Sequence, residues 1–138
     1  MEKVYVENEL YDGPRTGIAD FNSVPHRFIA QYRDLKAYFD TFYLIPISKE
    51  ELELEIEQWN IFVEWNKEYE AKKVSGETHP GYGELNKRWD EIENILRPKR
   101  ELIPEGVLVA KATFEPIDQK SSYESSGPDY GVVWKLIG

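Results

Sequence analysis

Residues 48–73 contain neither proline nor glycine, and they open on Ser48-Lys49-Glu50-Glu51, a capping-box pattern that starts a helix. A run of this length with apolar residues at helical spacing predicts one long helix. The chain on either side reads differently. Before Ser48, and again after about residue 105, short β-branched and aromatic runs alternate with turn residues. The order strands, helices, strands predicts an α+β domain, and it excludes the regular alternation that builds a parallel sheet.

The first part, residues 3–47, is punctuated by Asp12-Gly13-Pro14, Gly17 and Asn22-Ser23-Val24-Pro25. Strands are expected near 3–8, 17–21, 26–33 and 41–47. A four-residue loop at 22–25 would set Phe21 opposite His26, Asp20 opposite Arg27, Ala19 opposite Phe28 and Ile18 opposite Ile29. Ala19, Phe21, His26, Phe28 and Ala30 then share an apolar face. Asp20 and Arg27 form a charge pair on the other face, with Ile18 and Ile29.

On the long helix, Leu52, Ile56, Trp59 and Val63 form one stripe. Leu54, Ile61, Trp65 and Tyr69 form a second beside Phe62, a wider apolar arc than a one-sided surface helix needs. Five glutamates between Glu50 and Glu57 occupy the first turns, where the positive end of the helix dipole favours them. Residues 76–83 read as a turn. A second helix to Arg97 carries Leu85, Trp89, Ile92 and Leu96, and Pro98 is expected to stop it. The two helices form a hairpin spanning residues 48–97.

Residues 107–115 and 130–137 return to strand patterning. Leu108, Ala110, Ala112 and Phe114 lie on one face, and Tyr130, Val132, Trp134 and Leu136 alternate likewise. The serine-rich stretch 116–129 between them reads as a loop long enough to be mobile or to cover something. The reading is one domain over residues 1–138: strands 3–47, helical hairpin 48–97, closing strands 106–137. The strands form an antiparallel sheet, open or curled toward a barrel, and the first and last groups belong to the same sheet.

Composition narrows the function classes. Apolar residues make up 41% of the 138, enough for a core, and no apolar run is long enough to span a bilayer. With Met1-Glu2-Lys3 leading straight into Val4-Tyr5-Val6, a cytoplasmic location is expected and membrane association is not. The absence of cysteine excludes disulfides, thiolate catalysis and cysteine-ligated metals. The two histidines, His26 and His79, lie in separate elements, so no metal site and no cofactor are expected. A net charge of −9 disfavours nucleic acid. Residues 48–97 hold 13 acidic and 7 basic side chains, so the helices are the acidic pole.

Tyr11-Asp12-Gly13-Pro14-Arg15, Gly17-Ile18-Ala19-Asp20 and Pro25-His26 are the densest unusual motifs. On them, residues 11–47 resemble a group of uncharacterised bacterial proteins that share a Tyr-Asp-Gly-Pro turn, a Gly-Ile-Ala-Asp strand and a Pro-His step. The resemblance implies a bacterial origin and no particular activity.

Two groups of residues carry functional expectations. The leading one is a partner surface of Glu57, Glu64, Trp65, Glu68 and Tyr69, close together on successive turns of the long helix. It suits a small acidic binding protein, of immunity or regulatory type, holding a basic protein. The alternative is an enzyme or ligand pocket of Tyr11, Asp12, Arg15, Asp20 and His26, in which a carboxylate would orient a histidine that titrates near neutrality. Ordinary turn chemistry and a cross-strand pair account for the same residues, so an enzyme is the weaker expectation. A third reading is an oligomeric scaffold built through the long helix. No Gly-x-Ser-x-Gly elbow and no phosphate-binding loop is present.

Overall fold

A computed structural model describes residues 1–10, 14–31, 41–117 and 123–137. Strands β1 (Glu2–Leu10), β2 (Pro14–Phe21), β3 (Val24–Ala30) and β4 (Thr41–Pro46) come first. Helix α1 (Lys49–Glu70), two short 3-10 turns (Gly76–Thr78 and Pro80–Tyr82) and helix α2 (Lys87–Arg100) follow. The chain ends on β5 (Leu108–Pro116), β6 (Tyr123–Glu124), β7 (Gly127–Pro128) and β8 (Tyr130–Leu136). Strands β1, β2, β3, β4, β5 and β8 close into an antiparallel barrel, sealed where Glu2 and Lys3 pair with Val132 and Gly131. The early and late strands are therefore one sheet, and the helices are inserted before its last two long strands. Among the described residues no helix is long and apolar enough to cross a membrane.

Alternation along the strands fills the barrel. Small residues (Ala19, Ala30, Ala110, Ala112) leave room for Phe28, Phe42, Phe114 and Trp134, whose ring centroids lie 5.7–6.1 Å apart. Gly17 is required here: a Cβ would fall 2.3 Å from the Val6 carbonyl oxygen and 2.6 Å from the Phe28 ring. A second core lies outside the barrel, where Val6 and Ile18 meet Trp59 and Val63 of α1. Val4 faces in and Val6 faces out although they are two apart, because the register slips between them: Val4 opposes Ala19 and Val6 opposes Ile18. This bulge lets β1 serve both cores.

The structure corrects several expectations. The β2–β3 hairpin turns on two residues, Asn22 and Ser23, both at positive φ, so Phe21 opposes Val24, Asp20 opposes Pro25, Ala19 opposes His26 and Ile18 opposes Arg27. The face assignment survives because the register moves by two places, an even number. The Glu2 carboxylate accepts from the Asn22 and Ser23 N–H groups at 3.0 and 2.8 Å, which holds a turn that Ser23 disfavours by itself. The expected Asp20–Arg27 pair does not form. Asp20 accepts from the Tyr5 hydroxyl, and Arg27 turns under α1.

Pro98 does not stop α2. Its missing N–H falls in the last turn, and the helix continues to Arg100, whose guanidinium is fixed by five oxygen atoms of three residues, Glu55, Glu93 and Gln58. Leu85 lies before α2, outside its apolar stripe, and is 53% exposed. Residues 123–128 are not plain loop: β6 and β7 form a small hairpin laid across β1, where a Cβ on Gly127 would meet the Val4 carbonyl oxygen at 2.3 Å.

Candidate functional site

Of the residues expected to form an acid–base pocket, Tyr11 and Asp12 lie outside the described residues. The other three do not converge. His26 opposes Ala19 and faces the barrel interior, edge-on to Phe21 at 5.5 Å, with Nδ1 2.7 Å from the Val24 carbonyl oxygen. Asp20, one residue from Ala19, points to the outer side, toward Tyr5. Arg15 is buried five residues before Asp20 on β2, about 16 Å along the strand at ~3.3 Å per residue.

The residues expected as a partner surface do gather. Glu57, Glu64, Trp65 and Glu68 line an open groove of about 550 Å³ with Asn60, Ile61, Thr78, Pro80, Leu85 and Asn86. One wall is α1 and the other is the segment joining the helices. Tyr69 flanks it, its ring 5.1 Å from that of Trp65. Trp65 is less free than its position on the helix suggests: Nε1–H donates to Thr78 Oγ1 at 2.9 Å, and the ring lies 4.6 Å from that of His79. Glu57 is held by a two-pronged contact with Arg88. Glu64 pairs loosely with Lys67 at 3.3 Å, an exposed contact that exchanges readily. Glu68 is exposed at the rim.

A second cavity, also about 550 Å³, separates the outer barrel wall from the helical hairpin. Its polar floor is a buried ion network. Glu55, 1% exposed, accepts from Arg27 Nη1 at 2.6 Å, Arg100 Nη2 at 2.8 Å and Asn8 Nδ2 at 3.3 Å. Arg100 also donates to both oxygens of Glu93 and to Gln58 Oε1. Burial pushes the Glu55 carboxyl up, but Arg100 and Arg27 outweigh it and hold the group below the usual glutamate range. The other wall is a run of rings, Trp59, Phe62, His79 and Trp89, with successive centroids 5.4, 5.6 and 6.0 Å apart. Burial lowers the His79 pKa, and its Nδ1 accepts from the Gly81 N–H at 2.8 Å, so the neutral ring carries its proton on Nε2.

Where the β6–β7 hairpin meets the barrel, the Glu7 carboxylate accepts from the hydroxyls of Tyr123 and Tyr130. Burial raises Glu7, and burial beside that carboxylate raises both tyrosines. The hairpin also receives Trp59 Nε1–H on the Glu124 carbonyl oxygen at 2.7 Å.

The ion network was not anticipated from the sequence, yet a signal exists. Glu55 is three residues after Leu52 and four before Trp59, squarely in the apolar stripe of α1, where a carboxylate must find a buried cation. Nothing along the chain identifies Arg27 and Arg100 as its partners. Among the described residues no three His, Asp or Glu side chains come together as metal ligands. No family model, curated protein or solved structure matches the chain.

Proposed function

We propose that this chain is a cytoplasmic binding protein that holds a basic segment of a partner protein in the groove along α1. One observation carries the reading: a single open groove joins an apolar floor of Ile61, Trp65, Pro80 and Leu85 to a rim of Glu57, Glu64 and Glu68. An apolar floor ringed by carboxylates suits an amphipathic segment with lysines or arginines beside its apolar anchor. The net charge of −9 speeds the approach of such a cation and repels acidic competitors. α1 commits one face to the barrel and another to α2, which leaves the groove face for a partner.

The test uses a labelled amphipathic Lys/Leu helical peptide, with its Lys→Glu counterpart as control, in fluorescence anisotropy at several salt concentrations. Trp65→Ala is a poor probe because it also strips Thr78 and His79 of a partner. Leu85→Asp is the better one, since Leu85 is already 53% exposed. It is expected to cost about 2 kcal/mol of affinity. Glu64→Lys with Glu68→Lys should slow association about tenfold and flatten the salt dependence. Equal binding of the acidic peptide, or indifference to all three substitutions, would refute the reading.

A further inference from the structure

We propose that the cavity between barrel and hairpin is a second binding site, for a small organic cation: an ammonium group carried on an aromatic or aliphatic body. The proposal is independent of the groove, which opens on the other side of the Trp65–His79 contact and shares no lining residue with this cavity.

The cavity volume, about 550 Å³, falls in the range of small-molecule sites. Trp59, Phe62, His79 and Trp89 give the cavity an aromatic lining, and an aromatic ring attracts a cation that reaches its face and stacks on a flat apolar body. Neutral His79 adds no opposing charge to that wall.

The ions decide the sign of the ligand. In the floor, Glu55 and Glu93 balance Arg27 and Arg100, and each of these four is hydrogen-bonded within the set. Once that neutral group is set aside, the remaining charged lining residues are Glu7, Glu9 and Glu101 against Arg97. Carboxylates are in excess, and among the exposed lining charges Glu9 and Glu101 outnumber Arg97 two to one where an ammonium would enter. An anion would face the same excess, with Arg97 and Arg27 Nη2, which has only the Glu51 carboxylate 3.5 Å away, as the donors left to receive it. The field of the whole chain points the same way.

Benzyltrimethylammonium is a suitable probe, with phenylacetate and benzyl alcohol as its anionic and neutral comparisons, titrated against the full chain by NMR and tryptophan fluorescence. The expected result is saturable binding of the cation, with Kd on the order of 1 mM, about tenfold tighter than either comparison. Glu9→Lys combined with Glu101→Lys changes only exposed positions and should weaken it about fivefold or more. Thr16→Phe, which projects a ring into the cavity from β2, should weaken it, and Leu85→Asp in the groove should leave it unchanged. Phenylacetate binding as tightly as the cation, no saturation by the cation, or full affinity in the double lysine variant would each overturn the proposal.

Discussion

Replacing Glu55 tests how the helices are fastened to the barrel. Its carboxylate is wholly buried and takes hydrogen bonds from Arg27, Arg100 and Asn8. In Glu55→Ala, Arg100 keeps Glu93, but Arg27, with a side chain 3% exposed, keeps only Glu51 at 3.5 Å. A buried guanidinium left nearly unpaired costs about 3–5 kcal/mol, a large part of the roughly 5–15 kcal/mol that holds an ordinary domain together. In urea unfolding the midpoint should fall by about 2 M. Glu55→Leu combined with Arg27→Leu removes the charge and its need together, and should recover most of the loss. The pH dependence carries a sign. Because the folded carboxyl titrates below its ordinary 4.5, its contribution is complete above that value and is lost as the pH falls through the lower folded value. Wild type and Glu55→Ala should therefore converge in acid. A Glu55→Ala midpoint within about 0.5 M of wild type at neutral pH, or a double variant no better than the single, would refute the account.

Two further expectations follow from local geometry. Gly17→Ala should cost about 1–3 kcal/mol by thermal unfolding, because backbone and ring both stand within van der Waals distance of the added carbon; an unchanged melting temperature would mean that the barrel yields there. Burial lowers the His79 pKa from 6.5, so the unfolded chain takes up the proton first, and stability should fall as the pH drops through 6.5. An NMR titration placing His79 above 6.5 would contradict this.

The helices and most strands were legible from the chain alone because they rest on local periodicity. The Ser48 cap forms as its pattern predicts, with the Ser48 hydroxyl accepting from the Glu51 N–H at 3.1 Å. The inward faces of β2, β3, β5 and β8 follow strict alternation, and each of those strands is covered on the inside by its own barrel. The clustering of Glu57, Glu64, Trp65 and Glu68 was equally readable, since helical spacing alone puts them on one surface.

What the chain could not show depends on partners far away in sequence. The two-residue turn at Asn22 and Ser23 is capped by Glu2, some twenty positions earlier, and a four-residue loop satisfies the local signals equally well. Pro98 reads as a stop until Arg100 is seen bound to Glu55. Asp20 and Arg27 stand opposite each other only with a four-residue loop; in the actual register Asp20 opposes Pro25 and Arg27 opposes Ile18, and each bonds a group from another element, Tyr5 in one case and Glu55 in the other. The cavity between barrel and hairpin is tertiary in the same sense. Its floor joins β3, α1 and α2, and the sum of the charges left over after those long-range pairs form exists only once the helices have docked.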